Sequence, residues 1–196
     1  LPGINNYSSA YNLAAGKEFK TPSFIYTFTT KGKGQASRNL HKWALDYGIY
    51  KGREKRTTLL NNWEATYFDF DEKKLDHMFG DAKKLGVDLF LLDDGWFGNK
   101  YPRNNDHTSL GDWEPNKEKL PNGIGHLVKL AHDKGVKFGI WVEPEMISAK
   151  SELYEKHPDW VWKLPNRDIH ERRQQLVLDM TNPKVQDYVY NVLDKI

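Results

Sequence analysis

The sequence predicts an α/β fold in which parallel strands alternate with helices, and three features of the 196-residue chain carry that expectation. From residue 59 onward, short apolar runs alternate with segments whose apolar residues recur at helical spacing. Such β-then-α units imply parallel strands joined by crossover helices. Val87-Asp88-Leu89-Phe90-Leu91-Leu92 is a nearly continuous apolar run, as a strand covered on both faces requires. No Gly-rich phosphate turn follows any strand, which weakens a nucleotide-binding doubly wound sheet against a closed barrel. A closed barrel takes eight units and about 250 residues. Three units are clear here, so the expectation is the first part of a (β/α)8 barrel that continues past Ile196.

Residues 1–35 read as β structure. Ser23-Phe24-Ile25-Tyr26-Thr27-Phe28-Thr29-Thr30 is rich in β-branched and aromatic residues and lies between Pro22 and the breaker run Lys31-Gly32-Lys33-Gly34. One strand cannot form a domain, so this stretch reads as the end of a sheet. Residues 36–58 read as a helical connector, with Ser37 as its cap, Leu40, Trp43, Ala44 and Tyr47 on one face, and a basic loop from Lys51 to Arg56.

The remainder, 59–196, carries the repeated units. Thr66-Tyr67-Phe68-Asp69-Phe70 is expected to close the first strand, and Asp71-Glu72 to start a helix, where its dipole favours acids. Leu75, Met78, Phe79, Ala82 and Leu85 form that helix's apolar face, and Gly86 its stop. A polar loop from Gly95 to about Leu120 precedes a helix carrying Ile124, Leu127, Val128 and Ala131 and ending at Gly135. Val136–Val142 is the third strand, and Leu176-Val177-Leu178 a short strand or extended segment. Asn182-Pro183 caps a last helix with Val185, Tyr188, Val189, Val192, Leu193 and Ile196 on one face.

The 29 basic and 27 acidic residues leave a net charge of +2, which gives no electrostatic footprint for nucleic acid or an anionic membrane. With no cysteine, disulfides and thiolate metal sites are excluded. No apolar run approaches the length of a membrane span, and no charged-then-apolar leader is visible. The chain opens on Leu1-Pro2-Gly3, so a native start is expected upstream. Seven Trp, ten Tyr and nine Phe sit in a polar chain of mean hydropathy −0.78. Most belong to the core, but the combination also suits a wet surface that stacks on flat apolar faces such as those of sugar rings.

In α/β folds, function gathers at the carboxyl ends of the strands. Those ends read Asn61-Asn62-Trp63-Glu64-Ala65, Asp93-Asp94-Gly95-Trp96-Phe97-Gly98 and Trp141-Val142-Glu143-Pro144-Glu145-Met146. Each pairs carboxylate with tryptophan; carboxylates accept from vicinal hydroxyls while an indole covers the C–H face of the ring. Adjacent acids such as Asp93 and Asp94 reach one ligand only if the chain turns, which Gly95 permits. A helix cap, a plain surface turn and a divalent-metal site are the competing readings, the last short of oxygen ligands. For Glu143-Pro144-Glu145, a rigid turn whose glutamates bind loop backbone or an arginine competes with a ligand role. None of the seven histidines has ligand spacing, and no metal is expected. Arg172-Arg173 is either surface charge or an inward-facing ligand pair.

Six motifs then fall in register. Asn61–Phe68, Leu91–Gly98, Leu110-Gly111-Asp112-Trp113, Leu120-Pro121-Asn122-Gly123, Trp141–Met146 and Leu176–Asp179 together resemble the bacterial α-galactosidases of glycoside hydrolase family 36, over about residues 10–196. The resemblance implies an N-terminal β-sandwich ending near residue 35, a catalytic (β/α)8 barrel, a homotetrameric bacterial enzyme and no cofactor, and the absent leader gives the expectation of a cytoplasmic location. It implies release of terminal α-linked galactose, as in melibiose and raffinose, with retention of configuration. Asp93 and Asp94 match the pair that binds the sugar hydroxyls farthest from the scissile bond, Trp63 and Trp141 match positions walling the pocket, and Arg173 matches an arginine lining it. The family nucleophile lies in a Lys-Trp-Asp-type motif on a later strand and the acid/base further on. Neither occurs here, since Asp112-Trp113 and Asp159-Trp160 have the wrong order, so no catalytic residue is expected before Ile196. The alternatives are a raffinose-synthase-like galactosyl transferase and a non-catalytic sugar-binding module.

Overall fold

In a computed structural model that describes residues 10–169 and 171–196, three short strands form a parallel sheet in chain order. These are β1 (Leu59–Asn61), β2 (Leu89–Leu92) and β3 (Lys137–Ile140). Leu59 faces Leu89, which faces Lys137, and Leu92 faces Ile140. All three carboxyl ends therefore emerge along one edge. Trp141 N–H extends the pairing by donating to Leu92 O at 2.8 Å.

Local sequence explains the helices between them. Asp71 accepts the Lys74 N–H at 2.7 Å and opens α3 (Glu72–Lys84), and Gly86, at φ 75°, ends it. Helix α4 (Gly123–Asp133) stops before Gly135, at φ 71°. Asn182 accepts from Lys184 N–H at 3.0 Å, and Pro183 opens α6 (Pro183–Lys195). Phe79 of α3 packs edge-on to Phe90 of β2, ring centroids 4.9 Å apart, and to Phe138 of β3 at 6.1 Å. Leu127 and Ala131 bury the α4 face in the same core, while Leu85 and Val128 of the expected apolar faces are exposed.

After β3 the chain leaves the sheet. Strand β4 (Met146–Ser148) pairs antiparallel with β5 (Gln175–Val177), and the short helix α5 (Glu152–Lys156) lies between them in sequence. The segment expected at 176–178 thus overlaps a strand outside the parallel sheet, and Leu178 forms an isolated antiparallel bridge to Val161. A second cluster forms there around Ile147, Trp160, Leu178, Val185 and Val189. Val189 is covered by it, and of the expected apolar stripe of α6 only Leu193 and Ile196 are strongly exposed.

A further expectation is corrected. Thr66–Phe70 is not a strand: β1 ends at Asn61, and residues 63–66 form the one-turn helix α2 (Trp63–Thr66). Asn61 Oδ1 accepts the Trp63 N–H at 2.7 Å, a side-chain-to-backbone bond that bends the chain out of extension. Tyr67, at φ 46°, completes the turn.

The chain divides at Arg56–Thr57 into two compact units. In the first, residues 1–9 of the expected β region lie outside the described residues. Ser23–Thr30 forms no strand, with Tyr26 and Phe28 exposed, because its ladder groups find no partner strand among the described residues. Helix α1 (Lys33–Trp43) begins four residues before Ser37, since Gly32 O accepts from Gln35 and Ala36 N–H; a π-helical turn, Ala44–Gly48, follows.

Phe79 is fully buried and packs edge-on against rings of two strands. Phe79→Ala is expected to lower stability by about 3–5 kcal/mol, whereas Leu85→Ala should shift it by about 0.5 kcal/mol or less; urea denaturation curves of the two variants provide the comparison.

Candidate functional site

Two asparagines tie the first strand end to the second. Asn62, fully buried, accepts the Asp93 N–H at 2.8 Å and donates to Thr66 Oγ1 at 2.9 Å. Asn61 Nδ2 donates to Asp93 Oδ2. Trp63 follows at once, half-buried, with Tyr67 and Phe68 edge-on to it at 5.2 and 5.0 Å. Trp63 and Asp93 therefore sit on neighbouring, cross-linked strand ends.

Gly95, at φ 104°, supplies the turn that separates the two acids. Asp93 stays partly open, its Oδ1 accepting the Asp94 N–H at 2.7 Å. Asp94 turns inward to Arg103, whose side chain has no exposure to water. Arg103 Nε lies 3.0 and 3.2 Å from the two Asp94 oxygens, Nη2 donates to Oδ2 at 2.8 Å, and Nη1 donates to Thr108 O at 2.8 Å. The fork of donors matches the carboxylate plane, which is what makes such a buried pair tolerable. A carboxylate offers about four lone-pair sites, so Asp94 keeps capacity for a ligand hydroxyl beside the arginine.

Trp141 leaves the third strand end half-buried, and its carbonyl accepts from Trp96 Nε1 at 2.9 Å. Its ring lies 6.5 Å from Phe97, nearly parallel, and 6.2 Å from Trp113. Glu143 is half-buried. Burial and the neighbouring Glu145 push its carboxyl above the usual range, while Arg173 and Arg103 pull the other way. Glu145 is exposed, and its backbone carbonyl accepts from Leu178 N–H at 2.9 Å.

Arg173 stands at the tip of a two-residue turn. Arg172 and Gln175 exchange backbone hydrogen bonds, and Arg173 and Gln174 both have positive φ, 53° and 58°. That geometry suits Asn-Gly and strains larger residues. The exposed guanidinium lies 3.4 Å from Asp106, which is 3.9 Å from Arg103. A charge ladder thus runs from Asp94 through Arg103 and Asp106 to Arg173. The structure gathers Trp63, Asp93 and Asp94 at adjoining strand ends, brings Trp141 to the third, and links Arg173 through that ladder and through its pull on Glu143.

A cavity of about 600 Å³ lies elsewhere, lined by α4, α5 and α6 residues such as Val128, Leu153, Tyr188 and Val192, and holds none of these five residues. Its walls also include Asp112, Glu152 and Lys156, but none of the strand-end acids. Among the described residues, no cluster of three or more His, Asp or Glu side chains is arranged to hold a metal ion. Sequence reading missed Arg103 and Lys119. Lys119 Nζ donates to Phe68 O at 2.8 Å and Gly95 O at 2.9 Å, directly beneath the acids. Neither residue belongs to a periodic pattern, and only the folded loop reveals them.

A parallel α/β sheet that collects carboxylates, indoles and arginines along its carboxyl edge has chemistry suited to polyhydroxylated ligands. Residues 18–196 match the Melibiase family model, and the chain belongs to that family. It is 42% identical to Alpha-galactosidase 1 of Pediococcus pentosaceus over 100% of this chain and 27% of that protein. The α-galactosidase of Lactobacillus brevis superposes with a TM-score of 0.78 at 43% identity, over 85% of this chain and 22% of that one. A variant of the α-galactosidase AgaA from Geobacillus stearothermophilus, solved with raffinose, gives a TM-score of 0.68 at 51% identity, over 72% of this chain and 20% of that one. The chain thus spans about a quarter of the length of its curated relatives.

Glu143 supplies a pH test. Its folded pKa lies above the unfolded value, so the folded state binds the extra proton and the charged carboxylate destabilises it. That penalty is full above the folded pKa and vanishes as pH falls below the model-peptide value of 4.5. Glu143→Gln should therefore raise the melting temperature at neutral pH, and the gain should disappear near pH 4, which thermal melts across that range will read.

Proposed function

We propose that this chain is the first part of the catalytic barrel of a retaining α-galactosidase, and that it carries the sugar-binding half of the pocket. One observation bears most of the weight: Asp93 and Asp94 diverge at the second strand end, one partly open and one locked to a buried guanidinium. Fixed acceptors of this kind suit vicinal hydroxyls, whose binding energy orients the substrate and does not itself move a proton. In this reading Trp63 and Trp141 wall the sugar, and Arg173 lines the entrance.

The proposed barrel comprises residues 59–196 and later units, preceded by the connector 36–58. Residues 1–35 would end a β-sandwich whose other strands supply the partners that Ser23–Thr30 lacks among the described residues. Raffinose is the ligand of one structural relative, and we extend galactosides of that kind to this chain as substrates. A homotetramer, supported by the resemblance, in the bacterial cytoplasm is part of the same reading; no helix among the described residues is long and apolar enough to cross a membrane.

Retaining hydrolysis needs a nucleophile and an acid/base about 5–5.5 Å apart. Asp94 is committed to Arg103, and Asp93 to Asn61 and the following backbone. The resemblance assigns both catalytic aspartates to later strands, and these commitments are consistent with a binding role for Asp93 and Asp94. Transfer to a sugar acceptor and a non-catalytic module are less well supported, since the relatives bear the name α-galactosidase.

Two measurements check this. The 196-residue chain alone should show no turnover of an aryl α-galactoside; genuine turnover would make Glu143, Glu145, Asp93 or Asp94 catalytic. In the complete polypeptide bearing this segment, Asp93→Ala should lower kcat/KM by about 10–100-fold, the loss of one or more hydrogen bonds to a charged acceptor. Near-normal kcat/KM for that variant would contradict the pocket assignment.

A further inference from the structure

Three backbone carbonyls converge on one ammonium. Lys119 Nζ donates to Phe68 O at 2.8 Å, to Gly95 O at 2.9 Å and, more loosely, to Arg103 O at 3.4 Å. It also sits 4.9 Å from the centroid of the Phe70 ring. An ammonium has three N–H donors, so all are engaged.

Each carbonyl belongs to a segment that delivers part of the proposed pocket. Phe68 packs edge-on against Trp63, Gly95 directly follows Asp94, and Arg103 grips Asp94. The convergence is tight: a Cβ at Gly95 would lie 2.9 Å from Phe68 Cδ1 and 3.4 Å from Arg103 O. The backbone below is fixed as well, because Asn116 Oδ1 accepts the Lys119 N–H at 3.0 Å and Lys119 O accepts the Glu72 N–H at 3.2 Å. An apolar side chain of equal length would fill the space beside Phe70 without desolvating a charge. It would not hold three loop carbonyls at fixed separation.

We infer that Lys119 is a positioning residue for the sugar pocket, setting the spacing between the Trp63 wall and the Asp93–Asp94 pair by clamping the Phe68, Gly95 and Arg103 carbonyls. The inference rests on the galactoside reading above. Burial lowers the Lys119 pKa to about 8, against the pull of Asp94 and Asp69. The charged groups around it are Asp94 and Arg103 beyond the second strand, and Asp69 before α3, itself paired with Lys74 at 2.9 Å. A neutral amine keeps two N–H donors for three carbonyls, so one loop is released as pH rises through that value.

The experiment uses the complete polypeptide and an aryl α-galactoside, with KM and kcat followed from about pH 6 to pH 10. Wild-type KM should rise above the Lys119 pKa of about 8. Lys119→Met should raise KM about ten-fold with kcat within about three-fold, and should abolish that pH dependence. Lys119→Arg, which stays charged, should keep KM near wild type and carry it flat to the end of the range. Unchanged KM in Lys119→Met, or a basic limb that Lys119→Arg leaves in place, overturns the assignment. If Lys119→Met does not fold, the comparison of wild type with Lys119→Arg decides alone. Absence of wild-type turnover would instead sink the galactoside reading on which the assignment rests.

Discussion

A guanidinium with no exposure to water must be neutralised where it lies, and around Arg103 much of the loop architecture is arranged to do so. Asp94 supplies the charge and Thr108 a further acceptor. The aromatic rings of Phe68 and Phe97 lie 5.9 Å from the guanidinium carbon. Removing one member of such a pair strands the other, at about 3–5 kcal/mol. The polar loop 95–120, which sequence alone leaves shapeless, is thereby obliged to fold back over the second strand end. The arrangement also fixes which way Asp94 points, and through the turn at Gly95 which way Asp93 does not.

The parallel sheet sets the scale on which this arrangement works. In-register pairing of β1, β2 and β3 puts Asn61, Asp93 and Trp141 just at or beyond one edge without any long-range search. Asn61 and Asn62 then convert adjacency into rigidity by bonding the second strand end. Beneath them, Phe79, Phe90 and Phe138 lock α3 onto the strands. Tyr188 of α6 joins the two apolar clusters, its hydroxyl donating to Gly111 O and its ionisation pushed up by burial. Side chains on three different strand ends can hold one small ligand only when the sheet behind them does not give.

What the sequence made legible follows from the range of the forces involved. The strand cores at 89–92 and 137–140, the helix starts at Asp71-Glu72 and Asn182 and the Gly86 and Gly135 stops are local effects, so periodicity, dipole and capping rules found them. Thr66–Phe70 was misread because β-branched and aromatic content outweighed a single asparagine bond that turns the chain. Ser23–Thr30 has strand composition, but a strand exists only with a partner. Residues 176–178 read correctly as extended, yet nothing local could assign them to β4 instead of the parallel sheet. Trp63, Asp93, Asp94 and Trp141 were identifiable as strand-end residues. Arg103 and Lys119 were not, because one arginine and one lysine in a polar loop carry no pattern until the loop is closed.

The site also runs against the preferences that stabilise the rest of the chain. Lys119 is held among carbonyls with its pKa lowered by burial, and Glu143 is half-buried with its carboxyl raised, so each charged form destabilises the fold locally. For Lys119 the sign is plain: the folded pKa lies below that of a free lysine, so the penalty is full below about pH 8 and fades as pH rises toward 10.5. Arg173 and Gln174 occupy left-handed conformations that glycine would fill without strain. A sequence shaped for stability alone would replace the glutamate with glutamine and the turn with Asn-Gly. These departures lie along the carboxyl edge or on the charge ladder that reaches it, although burial also raises the carboxyl of Asp112 at the start of α5. That grouping supports the proposal that this edge meets the ligand.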